Sequence, residues 1–254
     1  MKKRKWIILS IIAVFAFIGI SMIYLQSKRR ENVLQGSFTI NQQEYVMGEG
    51  KGISLNLPDY TDEAETEEGT WRGKQYEDME TMEQELGIKL LKVSLPFKVI
   101  SREEGKNYCL QVLDEERAMI YYFLSELPES KVNMPDMINV QFALAGGSKV
   151  GDIAFEDEVF EDKWKSEGGD EEIIITNLHY NLIDKYVSDK LKTSIFLVKS
   201  TSNTNWKIIG GDDGANVREQ YFVQFMYQGI MYQLQWHDEI QKDDICEFVE
   251  MLEL

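Results

Sequence analysis

The sequence holds two histidines, His179 and His237, and two cysteines, Cys109 and Cys246. These are the side chains that would ligate a soft metal or supply an imidazole base or a thiolate. Their spacing serves neither purpose. A zinc motif sets its ligands in closely spaced pairs, and none of the four has a His or Cys neighbour at such an interval. No G-x-S-x-G, S-x-x-K or H-E-x-x-H stands in a context that would make it functional. Gly210-Gly211-Asp212-Asp213-Gly214 lacks the lysine and the strand-to-helix setting of a phosphate loop, and it lacks the D-x-D-x-D-G order of a calcium loop, so it reads as a turn. Carboxylates are the remaining resource: 44 Asp and Glu allow a glycosidase-type pair, but such a pair needs a cleft and a fixed separation. No catalytic, cofactor-binding or metal-binding residue is assigned on these grounds, and no cofactor is expected.

The two thiols admit two readings. A bridge between Cys109 and Cys246 would close a loop worth about 5 kcal/mol of chain entropy. Alternatively, each is a small residue buried in its own element, Cys109 in an apolar strand-like run and Cys246 on the apolar side of a helix.

Charge divides the chain in two. Residues 1–30 contain seven basic side chains and no acid; the rest carries the other 20 basic residues against all 44 acids, a balance of −24 within a net −17. Such a surface repels phosphate backbones, which argues against nucleic-acid binding.

Residues 6–25, WIILSIIAVFAFIGISMIYL, contain no charge. As a helix they would span about 30 Å, the hydrocarbon thickness of a bilayer. Lys2, Lys3, Arg4 and Lys5 precede them and Lys28, Arg29 and Arg30 follow, while Trp6 and Tyr24 stand at the two interfaces. The expectation is an uncleaved single-pass anchor in the cell membrane, touching membrane lipid through residues 6–25. Residues 1–5 would be a cytoplasmic tail and the C-terminal domain would be extracytoplasmic. A cleaved signal peptide is the rival, but this apolar core is long for one and Tyr24-Leu25-Gln26-Ser27 is a poor cleavage site.

Beyond the anchor, residues 26–75 read as a connector. It has a polar start to residue 37, short strand-like runs FTI and ISLNL, and an acidic loop over 59–68. Residues 76–254 read as one α+β domain: a mainly antiparallel sheet with packed helices near 76–86 and 243–253. Tyr76, Met79, Met82 or Glu83, and Leu86 share a helical face, and Gly87 suits its end. Strand signals follow at 88–95, 108–113, 118–124, 137–144, 173–179 and 191–198, with Gly146-Gly147 and Gly168-Gly169 as turns. The echo of Phe155-Glu-Asp-Glu-Val and Phe160-Glu-Asp-Lys-Trp reads as an edge strand or loop with aromatic anchors. Residues 219–227 and 230–236 form a hairpin about Gln228-Gly229. That turn sets Tyr227 opposite Ile230, Phe225 opposite Tyr232, Val223 opposite Leu234 and Tyr221 opposite Trp236 on one apolar face. The reverse face mixes Gln224, Gln233 and Gln235 with Phe222, Met226 and Met231. Ile245, Phe248, Val249 and Leu252 then recur at helical spacing after Asp243 or Asp244 as cap.

The stretch YFVQFMYQGIMYQLQWHDEIQKDDICEFVEML, with the earlier TMEQELGIKLLKVSLP, resembles an uncharacterised extracytoplasmic domain of membrane-anchored, anti-sigma-factor-like proteins of Gram-positive bacteria. The resemblance covers residues 76–254 in separated stretches. It implies a curved sheet similar to those of lipoprotein carriers, whose concave face would take an apolar ligand, a peptide or an envelope protein. It brings no catalytic residues. The expected function is a membrane-tethered binding or sensing module, not an enzyme, with an apolar groove between sheet and helix. A carboxylate-dependent cell-surface hydrolase and a structural subunit of an envelope complex are the alternatives.

Overall fold

A computed structural model describes residues 33–254 except 52, 54, 58–61, 67–68, 96, 101–105, 114–115, 127–131, 145–148, 152, 166–170, 209–213 and 238–239. The expected tail, anchor and start of the connector lie outside the described residues, as do Gly146-Gly147, Gly168-Gly169 and the first four residues of the Gly210–Gly214 turn. Among the described residues no helix is long and apolar enough to cross a membrane.

The described chain is sheet-dominated, with two helices. Its elements in order are β1 (Val33–Ile40), β2 (Gln43–Lys51), β3 (Asp62–Thr66), β4 (Gly69–Tyr76), α1 (Met79–Leu86), β5 (Lys92–Val93), β6 (Phe97–Ile100), β7 (Tyr108–Val112), β8 (Arg117–Glu126), β9 (Met137–Ala143), β10 (Lys149–Val150), β11 (Ala154–Phe155), β12 (Glu158–Lys165), β13 (Glu171–Val187), β14 (Ser194–Ile208), β15 (Gly214–Tyr227), β16 (Ile230–Trp236), α2 (Lys242–Met251) and β17 (Leu252–Glu253). The main sheet runs β12-β13-β14-β15-β16-β9-β8-β7-β4-β3, with β6 also on β8. Its pairings are antiparallel, for example β13 with β14 and β16 with β9. A smaller sheet places β1 between β10 and β11, parallel to both, and β2 also pairs with β1.

The hairpin has the register its sequence dictates: Tyr221, Val223, Phe225 and Tyr227 face Trp236, Leu234, Tyr232 and Ile230. Gln228 and Gly229 both take positive φ, 51° and 83°, as a two-residue turn between twisted strands demands. Asn41 and Gln42 repeat the device between β1 and β2. The first helix starts three residues later than expected, because Tyr76 completes β4 and Asp78 caps the helix by accepting the Thr81 N–H at 2.8 Å. It ends at Gly87, φ 71°, whose N–H reaches the Glu83 carbonyl. The second helix starts at Lys242, and Gln241 rather than an aspartate precedes it, with no side-chain cap.

Several expectations are corrected. The polar start of the connector already forms β1 from Val33, and the described residues of the 53–57 run form no strand. The acidic loop contains β3, which forms one edge of the main sheet. The 88–95 run yields only β5, because side chains take its backbone donors. Leu90 N–H goes to Glu83 Oε1 at 2.8 Å and Leu91 N–H to Tyr232 Oη at 3.1 Å. The echo, by contrast, supplies an edge strand as expected, β12, with Phe155 buried as an anchor; only Phe160 departs, being exposed.

Two cores flank the main sheet. The larger lies under the helices and gathers Met82, Leu86, Ile120, Tyr122, Val223, Phe225, Ile245, Phe248 and Val249. Burial of Ile245, Phe248, Val249 and Leu252 contributes about 6–12 kcal/mol of gross transfer energy. The smaller lies under the small sheet, where Leu34, Phe38, Ile40, Val150 and Phe155 meet Phe196, Val198, Phe222, Met226 and Met231. The approach of the two layers is close: a Cβ on Gly50 would come within 2.7 Å of Gly229 Cα. An irregularity between Leu182 and Asp184 turns β13 so that Leu182 serves the smaller core and Tyr186 the larger.

Candidate functional site

Strand alternation splits β8 cleanly. Ala118, Ile120, Tyr122 and Leu124 enter the helix-side core, so Met119, Tyr121 and Phe123 face the other way. On that second face β7 presents Cys109 and β4 presents Gln75, which are register partners of Tyr121 and Cys109 respectively. The same row continues through Asn139 on β9, Gln233 on β16 and Gln224 on β15. It crosses six adjacent strands, about 24 Å at the usual strand spacing.

The small sheet covers only part of this face. No described residue of β4, β7 or β8 belongs to the core beneath it. There the face is open, and a cavity of about 350 Å³ is lined by Gln75, Cys109, Tyr121, Phe123 and Ile100, together with Lys106 and Asn107. Tyr121 and Phe123 meet edge to face, their centroids 6.3 Å apart. Ile100 pairs with Phe123 across β6 and β8 and remains half exposed. The cavity is amphipathic: aromatic and aliphatic surface on its floor, two amides, a thiol and one ammonium around it. Among the described residues no groove opens between sheet and helix. Met82, Leu86, Ile245, Phe248 and Val249 fill that interface with fully buried side chains.

Polar groups along the row are incompletely matched. Gln75 Oε1, Asn139 Oδ1 and both side-chain polar atoms of Gln224 are buried without a hydrogen-bond partner. Asn139 is 9% exposed and Gln224 0%. An unmet buried polar group costs about 1–3 kcal/mol, so this row is held against a penalty that an apolar row would avoid.

The buried carboxylate, Glu83, is by contrast fully employed. Its Oε2 meets Lys89 Nζ at 2.9 Å and Lys92 Nζ at 3.0 Å, while Oε1 takes the Leu90 N–H. Burial pushes its pKa up, but the Leu90 N–H and the two ammonium groups outweigh burial and hold it below the ordinary value. It ties the end of α1 to the following segment. Asp157 fastens the β1–β2 turn to β13: its Oδ1 accepts from Tyr180 N–H at 2.8 Å and from Asn41 Nδ2 at 3.0 Å, and its own N–H donates to Asn41 Oδ1 at 2.7 Å. The Tyr180 N–H is the chief cause of its lowered pKa.

The residues singled out for chemistry stay apart. His179 lies beside Asp157, Nδ1 to Oδ2 3.2 Å, and His237 beside Asp136 at 3.1 Å, both at the surface. Cys109 and Cys246 are free thiols, one in the cavity and one on α2. Among the described residues no group of His, Cys, Asp or Glu is arranged to hold a metal ion. The described carboxyls whose pKa is displaced, Asp78, Glu83, Asp157, Asp184 and Glu219, are all displaced downward. The cavity residues themselves escape sequence reasoning, because 118–124 is one apolar run in which nothing marks Tyr121 and Phe123 as belonging to a different face. The chain was compared with protein-family models, curated proteins and solved structures, and none of them matches.

Proposed function

We propose that the chain is a membrane-tethered extracytoplasmic binding or sensing module whose ligand sits in the cavity over β4, β7 and β8. The uncharged stretch at residues 6–25 and the acidity of everything beyond it support the tether and the export. The observation that carries the binding role is the open, aromatic-floored cavity on a face where the neighbouring strands are covered by a second layer. A pocket that combines apolar floor with a few polar groups is the usual form of a small-ligand site. A carboxylate-dependent hydrolase has less support: its acid needs a carboxyl held above the ordinary range, and the displaced carboxyls lie below it.

The test uses the full chain in phospholipid nanodiscs, titrated with the uncharged fluorophore N-phenylnaphthylamine. Saturable binding at one site, lost in Tyr121→Ala and blocked by attaching a bulky maleimide to Cys109, is the expected result. Absence of saturable binding, or binding indifferent to both changes, overturns the proposal. N-terminal sequencing of the membrane-bound protein tests the tether: retention of residues 6–25 is expected, and a new N-terminus beyond residue 25 contradicts it.

A further inference from the structure

Far from the cavity, at one edge of the main sheet, β12 pairs with β13 alone among the described residues. Tyr180 N–H donates to Asp157 Oδ1 just before β12 begins, so it points toward that strand. Backbone groups alternate along a strand, so those of Leu178, Thr176 and Ile174 point the same way, toward their partners Glu158, Phe160 and Asp162. The backbone N–H and C=O of Val159 and Glu161 are therefore directed outward, away from the sheet. On the same strand the side chains of Val159 and Phe160 are 68% and 48% exposed. Outward backbone groups beside exposed apolar side chains form a template for one more strand.

We infer that two copies of this chain join through β12, antiparallel, about a two-fold axis at Asp162. The order of charges, Glu161-Asp162-Lys163, selects that partner and that register. A two-fold normal to the sheet sets one residue of β12 opposite itself and its neighbours opposite each other in reverse order. Centred on Phe160, Glu158 would face Asp162; centred on Glu161, acid would face acid; centred on Lys163, base would face base. Centred on Asp162, the Glu161 of each copy comes opposite the Lys163 of the other. Opposite charges directly across a strand pair stabilise it, and like charges destabilise it. Glu161 and Lys163 already attract each other along the strand, Oε1 to Nζ 2.6 Å, with both side chains exposed to a second copy. A purely acidic strand would be repelled by Glu161 and Asp162 and a purely basic one by Lys163, whereas the mixed order suits its own reverse. Asp162, whose backbone faces β13, meets its counterpart as a non-hydrogen-bonded pair with Cα atoms about 4.5 Å apart. Those two facing carboxylates oppose the pairing. The contact is one strand wide, so the dimer should dissociate on dilution.

The experiment uses the full chain in detergent solution, with circular dichroism to confirm folding of each variant. In a Cys109→Ser, Cys246→Ser background, a single thiol is introduced by Asp162→Cys, Glu161→Cys or Phe160→Cys, and oxidative cross-linking is timed. Asp162→Cys should form the disulfide-linked dimer roughly tenfold faster than the other two, because its pair alone lies within disulfide reach. Adding Glu161→Lys or Lys163→Glu to Asp162→Cys should slow cross-linking roughly tenfold, and mixing these two charge variants should restore it, since each then meets its opposite. Sedimentation of the chain without introduced thiols should show a dimer that dissociates on dilution and tightens in Asp162→Asn. Equal cross-linking at all three positions, or no recovery on mixing, overturns the inference. A chain that is monomeric at every concentration overturns it, and so does a dimer that persists unchanged in Glu161→Lys, which another surface must then hold.

Discussion

Gln224 gives the sharpest energetic prediction. Its side chain is fully buried and neither its Oε1 nor its Nε2 has a partner. Each unmet group costs about 1–3 kcal/mol, so the amide is held at about 2–6 kcal/mol. Gln224→Met keeps the length and approximate volume of the side chain and removes both polar atoms; imperfect packing of the new methyl takes back up to about 1.5 kcal/mol. The variant should therefore be more stable by about 0.5–6 kcal/mol. For a domain of this size that is roughly 2–4 °C of Tm per kcal/mol. Urea unfolding followed by tryptophan fluorescence reads the change, because Trp236 is buried in the same sheet. A variant less stable than the parent by about 1 kcal/mol or more would refute the reasoning and show that the amide is hydrogen-bonded in solution, through interior water.

Other perturbations follow from single contacts. Glu83→Gln removes the charge facing Lys89 and Lys92 while leaving an acceptor for Leu90, so it should cost about 1–3 kcal/mol at neutral pH, measured by urea unfolding. The folded-state pKa of Glu83 is lowered, so its contribution is complete above the unfolded value near 4.3 and disappears as pH falls through the folded value. The stability difference between parent and Glu83→Gln should accordingly narrow as the solution is acidified below about pH 4. Gly50→Ala would drive a methyl against Gly229 Cα at 2.7 Å and Met226 Cε at 2.8 Å, and thermal unfolding should show a loss of about 1–3 kcal/mol. Tyr232→Phe leaves the Leu91 N–H without its acceptor and should cost about 1–3 kcal/mol, with faster hydrogen exchange at Leu91.

The parts of the fold legible in the sequence are those where local rules act alone. Tyr221 to Trp236 could be registered because a two-residue turn and strict alternation leave one solution. Gly87 could be named because few other residues end a helix in the left-handed conformation. The same hairpin shows where legibility stops. Its mixed face, with Gln224 and Gln233 beside Met226 and Met231, suggests partial exposure, whereas the small sheet covers it and buries all four. That cover comes from β1 and β2, more than 170 positions earlier, and from short parallel pairings at β10 and β11, which no local pattern announces. The 88–95 run has strand composition but gives its donors to Glu83 and Tyr232, a tertiary choice. The cavity was hidden for the same reason: Tyr121 and Cys109 line it because the described part of the covering layer stops short of β8. At the helices, where a groove was expected, the described helix side chains are large enough to fill the interface.

The proposed ligand site is the face of β4, β7 and β8. In a Cys246→Ser background Cys109 is the sole thiol, and its rate of maleimide labelling can be followed in the full chain in nanodiscs. Cys109 should react freely, and its labelling should slow in step with occupancy as N-phenylnaphthylamine saturates. Labelling that proceeds at an unchanged rate at saturating dye would place the ligand elsewhere and rule this site out.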